Sequence, residues 1–365
     1  MKRFLKILAA ASGVFGAVAF AAWLTGRLLT DRTLPTQFIW WVPAWVFVGS
    51  IAAALGLRTI CQRILVRTEN RSPKVSCLLA ASLIAVTVHA AFFEYRLAST
   101  TARTKEPGPP ALRLLVWNPA GQPTLAEPLI RGNPDLIAVV NSGYGAEWPA
   151  VMEALGDRAS AVRSGRMVIA SRFHILEWGA GSLKVKGAKE RTFTWHGGQK
   201  VHIDEGYAAY CIMECPQAAT GRLTLWFLDL PSDPDIHRAR MMTEAGAAIE
   251  AFRGPRYARS EAGDRDEVIP AGSVPQGFPP ADLIVGDFNT PRGSHSLQTV
   301  CPEFTHAYRQ AGKGFMPTWP RNRPLIAIDH VFLSPQWQAT KYATLDLAVG
   351  EHLAQWCEFR TVKGQ

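Results

Sequence analysis

The chain has 365 residues, 39 basic against 30 acidic, with 48% hydrophobic and 10% aromatic residues. That hydrophobic content excludes an intrinsically disordered chain, and 30 glycines without a three-residue period exclude a collagen-like one. The net charge of +9 is carried entirely by residues 1–107, and residues 108–365 balance to zero, so the charge is not the footprint of a nucleic-acid-binding domain.

Three apolar stretches open the chain: Leu5–Leu24, Phe38–Leu57 and Cys77–Phe93. The first two are uncharged after Lys6 and approach the ~20 residues with which a helix crosses about 30 Å of hydrocarbon. The third is shorter and contains His89. A cleaved signal peptide would account for the first stretch alone, not for all three. Lys2, Arg3 and Lys6 precede the first stretch, and Arg58, Arg63, Arg67, Arg71 and Lys74 separate the second from the third. Only Arg27 and Arg32 separate the first from the second. Basic loops stay inside. The expectation is a multi-pass protein of the cell membrane, with its N-terminus cytoplasmic and the chain beyond residue 95 extracytoplasmic. Residues 1–97 read as a three-helix membrane anchor and 98–110, rich in Pro and polar residues, as a linker. Residues 111–365 read as one further domain.

From Leu112 the pattern changes to short β-rich runs at 112–117, 135–140, 166–170, 208–214, 223–229, 282–287 and 327–334, several bounded by Gly, Pro, Asn or Asp. A helix is expected around Trp148–Leu155. A second begins at Asp233 as its cap and Pro234 in its first turn, with Ile236, Ala239, Met242, Ala245, Ile249 and Phe252 on one face. Residues 256–280 read as a long surface loop. Strands interleaved with helices imply a layered α/β sandwich. Of the six cysteines, four fall in the domain, and their spacing fixes no pairing.

Four places carry candidate chemistry. The apolar strand Asp282–Val285 runs into Gly286-Asp287-Phe288-Asn289, a pattern that suits either an Asx turn or a carboxylate and an amide set at a strand end. Asp329 lies inside an otherwise apolar strand, where a carboxylate is costly unless paired, and Thr318-Trp319-Pro320 precedes it. Glu351-His352 lies near the C-terminus, and Trp117-Asn118 closes the first strand of the domain.

Together and in this order, these motifs resemble the endonuclease/exonuclease/phosphatase superfamily of Mg²⁺-dependent, DNase I-like enzymes. The resemblance extends over roughly 110–360, adding Pro134-Asp135 before the second strand and Gly165–Phe173, which ends in Ser-Arg-Phe. The three-span anchor is similar to that of bacterial membrane-bound members. The resemblance implies a four-layer αββα sandwich that hydrolyses a phosphomonoester or phosphodiester with Mg²⁺, or with Mn²⁺. It implies that Asp287 orients or deprotonates the attacking water, that Asn289 holds water and phosphate, and that His352 faces the phosphate with Asp329 fixing its tautomer. Glu351 and Asn118 would hold the metal. Two positions depart from the family pattern. Asn141 stands where the family places its main metal-ligating Glu, and Asp229 where many relatives use His or Tyr. Asp229, Thr318 and Trp319 would contact substrate. The expected partners are the membrane and a phosphoester such as a lipid head group or nucleotide, while the neutral domain does not favour nucleic acid. The departures leave two readings, an active hydrolase with a rebuilt metal site or a degenerate relative that serves as a binding module.

Overall fold

The computed structural model describes residues 1–65, 74–98, 111–123, 125–143, 147–195, 198–260, 265–270 and 272–362, with 190–203 described as backbone. The expected linker lies outside the described residues beyond Ala98. The chain forms two compact units, residues 1–100 and 101–365.

The first unit is helical: α1 (Lys2–Leu29), α2 (Leu34–Trp41), α3 (Ala44–Leu65) and α4 (Lys74–His89), the last continuing as a single π turn over Ala90–Glu94. Three of its helices are long and apolar enough to cross a membrane, at 28, 22 and 21 residues. The second candidate span differs from Phe38–Leu57. Pro43 disfavours helical geometry at Val42, so α2 stops at Trp41 and the long helix begins at Ala44. Thr33 caps α2 reciprocally with Thr36. Arg58 and Arg63 therefore lie within α3, and buried Arg58 donates to Ala9 O at 2.6 Å. Small residues let the helices approach, since a Cβ on Gly16 would come within 2.6 Å of Leu79.

The second unit begins β1 (Leu112–Trp117), α5 (Ala126–Ile130), β2 (Leu136–Val139), α6 (Trp148–Leu155), β3 (Ser160–Ser164) and β4 (Met167–Ser171). It continues with β5 (Ile175–Ser182), β6 (Glu190–Trp195), β7 (Gly198–Ile203), β8 (Tyr207–Glu214), β9 (Arg222–Asp229) and α7 (Arg238–Glu250). Then come β10 (Arg256–Arg259), β11 (Asp266–Val268), β12 (Leu283–Asp287), α8 (Leu297–Val300), β13 (Thr305–His306) and α9 (Ala307–Ala311). The chain closes with β14 (Asp329–Leu333), β15 (Trp337–Leu345) and β16 (Ala354–Thr361).

These strands form a six-stranded sheet, β15-β16-β1-β2-β4-β3, and an eight-stranded sheet, β11-β10-β5-β8-β9-β12-β14-β13, with β6 and β7 as a separate hairpin. Alternation of side chains builds the layers. Leu114, Val116 and Ala138 from the first sheet meet Leu225, Phe227, Val285 and Val331 from the second in the central core. Leu115, Ile137 and Val139 face outward against Leu129, Val151 and Leu155 of α5 and α6. On the other side Leu228, Ile284 and Phe332 meet Met241, Met242, Ala245 and Ile249 of α7. The layers are therefore α/β/β/α. Three expectations change in detail, and no cysteine is paired. The α7 helix starts at Arg238, after His237, rather than at Asp233, whose carboxylate accepts from Lys189 N at 3.0 Å. Its buried face includes Met241 in place of Ala239. Residues 256–280 contain the β10–β11 hairpin rather than an unbroken loop. All six cysteines are free thiols.

Candidate active site

Parallel pairing sets Asp287 on β12 level with Asp229 on β9, and antiparallel pairing sets it level with Asp329 on β14. Three neighbouring strands thus carry an aspartate at the same height. Each shares the parity of core residues such as Phe227, Val285 and Val331, so all three lie on the inter-sheet side. Gly286 makes the close approach possible. Its φ is +132°, and a Cβ there would lie 1.9 Å from Leu228 O. Across the core, β1 and β2 run parallel, and Asn118 and Asn141 follow their ends. Both sheets therefore deliver polar residues to one end of the sandwich, on strand ends that the packed core holds rigid.

Among the described residues, Asp287, Asp329 and His352 form a group whose potential ligand atoms all lie within 4.8 Å of one another. His352 Nδ1 bonds Asp329 Oδ2 at 2.9 Å and lies 3.9 Å from Asp287 Oδ2. Its carbonyl accepts from Trp117 Nε1 at 3.1 Å, which ties it to the first sheet. Asn118 Nδ2 donates to Asp287 Oδ2 at 2.7 Å, while Asn118 Oδ1 accepts from Ala120 N at 2.8 Å. Asn289 N donates to Asp287 Oδ1 at 2.9 Å, and the Asn289 amide is fixed by donation to Leu230 O at 2.7 Å. Asn141 Nδ2 donates to Asp229 Oδ2 at 3.2 Å. Asp287, Asp329, Asn118 and His352 are buried, while Asp229, Asn141 and Asn289 are half-buried.

The electrostatics follow from this crowding. Burial, and then the neighbouring Asp329, push Asp287 up to about 7, although His352 and the Asn289 and Asn118 donors pull the other way. Burial, then Asp287 and Asp204, hold Asp229 well above the usual carboxylate range. Burial alone would lower His352, but the charges of Asp329, Asp287 and Asp229 outweigh it and raise the imidazole to about 9. With Nδ1 turned to Asp329, His352 stands as an imidazolium at neutral pH and has Nε2–H left to donate.

Asp287, Asp329, His352, Asn118 and Asn289 come together, and Asp229 with Asn141 adjoins them. Thr318 sits behind, its Oγ1 accepting from Ile328 N at 3.0 Å and from Asp329 N at 3.2 Å. It therefore orients Asp329. Trp319 follows on the surface, 36% exposed. Glu351 lies outside the group with its side chain exposed. The turn that carries it is set by Gly350, at φ +80° against Pro119, and by Arg321 N donating to Glu351 O at 2.6 Å. Two features escaped sequence reasoning. Asp204 adds its charge to that of Asp229. A buried pair, His306 Nε2 to His330 Nδ1 at 3.0 Å, ends on Thr290 O, 2.7 Å from His330 Nε2. His330 adjoins Asp329 in sequence, but its partner on β13 carried no motif.

The donor set suits a hard divalent cation. Two carboxylates, Asp229 and Asp287, stand level on neighbouring strands, Asp287 opposing the ionisation of Asp229, with the amide of Asn141 beside them. Oxygen donors of this kind are the ligands that hard divalent cations take.

A family model described as Endonuclease/Exonuclease/phosphatase family matches residues 116–352. Among solved structures, the chain is similar to an endonuclease/exonuclease/phosphatase family protein from Bacteroides thetaiotaomicron, at 14% identity over 70% of this chain and 99% of that one, with a TM-score of 0.44. It is similar also to an endonuclease/exonuclease/phosphatase from Beutenbergia cavernae, at 14% identity over 69% of this chain and 72% of that one, with a TM-score of 0.43. A third is D. rerio TDP2 complexed with single strand DNA product, at 16% identity over 69% of this chain and 99% of that one, with a TM-score of 0.39. No curated protein matches.

Proposed function

The chain belongs to the endonuclease/exonuclease/phosphatase family, and on that premise we propose that it is a membrane-anchored, divalent-metal-dependent phosphoester hydrolase acting outside the cytoplasm. The observation that carries the reading is the convergence of Asp287, Asp329 and His352, with Asn118 and Asn289 bonded to Asp287, at one end of both sheets.

In this reading Asp287 accepts the proton of the attacking water. Asn289 N–H and Asn118 Nδ2 fix the carboxylate so that its basic lone pairs meet that water in one geometry. His352 donates from Nε2 to a phosphate oxygen, where charge builds in the transition state, and Asp329 keeps the ring charged and oriented. Asp229, Asp287 and Asn141 are the residues that would hold Mg²⁺ or Mn²⁺, which when bound supplies positive charge to the phosphate oxygens. The neutral charge of 108–365 favours a lipid head group, nucleotide or envelope phosphoester over a long nucleic acid. Lys2, Arg3 and Lys6 in the first turns of the first span, and Arg63, Arg67, Arg71 and Lys74 around the join of the second and third, support a cytoplasmic N-terminus and an external domain.

Asn141 favours a second reading, because its amide brings no charge to the cation. A binding module with the same fold would hold a phosphoester without turning it over. The test is the initial rate of the full chain in detergent on a chromogenic phosphodiester and a phosphomonoester. Rates are taken with Mg²⁺, with Mn²⁺ and after chelation, beside Asp287→Ala. Metal-dependent turnover abolished by the substitution supports the hydrolase. Absence of turnover with either metal, together with retained binding of the ester, supports the binding module.

A further inference from the structure

Residues 304–328 contain no acid and four bases, Arg309, Lys313, Arg321 and Arg323, within a domain that is neutral overall. The same stretch exposes three large apolar side chains, Phe315 at 44%, Trp319 at 36% and Leu325 at 39%. Exposure here is built in rather than left over. Tyr308 Oη donates to Gly314 O at 2.8 Å and Arg292 Nη1 to Met316 O at 3.2 Å, so the backbone is pinned on both sides of Phe315. Arg321 Nε donates to Gly350 O at 2.9 Å, and Leu353 N to Thr318 O at 2.7 Å. Thr318 thus links the loop to Asp329 on one side and to the residue after His352 on the other. A pinned loop bearing exposed Phe315, Trp319 and Leu325 beside Lys313 and Arg323, with Arg321 paired to Asp346, therefore lies next to the Asp287–Asp329–His352 cluster.

We propose that the loop from Gly312 to Ile326 is an interfacial docking surface that seats the Asp287–Asp329–His352 cluster on a bilayer containing anionic phospholipid. Apolar side chains that enter the headgroup region beside lysine and arginine match such a surface in both hydrophobicity and charge. The chain supplies the occupant itself. Three apolar helices precede the domain, and a linker of thirteen residues reaches at most about 45 Å when fully extended, so a bilayer is always near. Docking deepens the hydrolase reading and rests on its membrane anchoring: a phosphoester carried by a lipid would meet Asp287 and His352 without leaving the interface. A single-stranded nucleic acid is the other partner that aromatic and basic residues can bind. The exposed Leu325 and the tether favour the bilayer.

The test is hydrogen exchange of the full chain read by mass spectrometry over residues 312–326. The chain is compared in nanodiscs of zwitterionic lipid, in nanodiscs with added phosphatidylglycerol, and in zwitterionic discs with a single-stranded oligonucleotide. The expected result is exchange slowed by about tenfold in the anionic discs, weakened by high salt and lost in Phe315→Asp/Leu325→Asp. That variant is expected to keep its rate on a soluble chromogenic ester, so failure of docking and failure of hydrolysis are read separately. Equal exchange in both lipids, or protection by the oligonucleotide alone, would overturn the proposal.

Discussion

At the scale of single residues, the aspartate level with Asp229 and Asp329 governs both charge and chemistry. Removing Asp287 takes away the group that accepts two fixed hydrogen bonds and faces His352, and Asp287→Ala is expected to lower turnover by about 10²–10⁴-fold with little change in KM. Asn141 occupies the left-handed region at φ 52°, which Asn tolerates better than Glu. Asn141→Glu is therefore expected to tighten Mg²⁺ binding in calorimetry by about tenfold through its added charge. The same change is expected to cost ~1 kcal/mol in stability. Asp287 and His352 both hold protons more tightly in the folded chain than their ordinary 3.8 and 6.5 allow. Stability from Asp287 is complete below 3.8 and gone above about 7, and that from His352 is complete below 6.5 and gone above about 9. The metal-free protein is thus expected to melt at a lower temperature at about pH 9.5 than at about pH 7, and His352→Gln is expected to remove most of the difference. His306 and His330 act in the opposite sense, because burial lowers both, and their cost appears as pH falls below 6.5.

At the scale of elements, the site depends on register. Gly286→Ala would drive a Cβ onto the β9 backbone, and separation of β9 from β12 is expected to cost ~3 kcal/mol or more, read as a fall in Tm. Thr318→Val removes the acceptor of two buried N–H groups and is expected to cost about 1–3 kcal/mol, while loosening Asp329 enough to lower kcat. Strands that carry chemistry were legible because mainly apolar runs meet a polar residue at one end: Asn118 follows β1, Asp287 closes β12 and Asp329 opens β14. Strands β15 and β16 mix Lys, Thr, Glu and Arg with their apolar residues, and β5 contains two glycines, so local composition concealed them. The second span was displaced for a local reason, Pro43, which hydropathy alone does not weigh. Motif order supplied Asp287, Asp329 and His352. The meeting of Asp229 with Asn141 was not legible, because a contact across 88 residues is fixed by the pairing of distant strands. Glu351 shows the same limit: adjacency to His352 in sequence did not carry its side chain into the cluster.

At the scale of the molecule, an apolar helical unit precedes a neutral α/β sandwich whose polar strand ends converge at one edge. Under the proposed hydrolase reading, Asp287 is the base, His352 the charged donor, and Asp229 with Asn141 adjoins them on the same strand ends. The most direct measurement is turnover of a chromogenic phosphodiester by the full chain in ¹⁸O-labelled water with Mn²⁺, the products being read by mass spectrometry. Attack of water on phosphorus is expected to place the label in the phosphate product, with no labelled product from His352→Ala above background. Label in the released alcohol, or equal product from wild type and His352→Ala, would contradict the assignment of this cluster as the hydrolytic site.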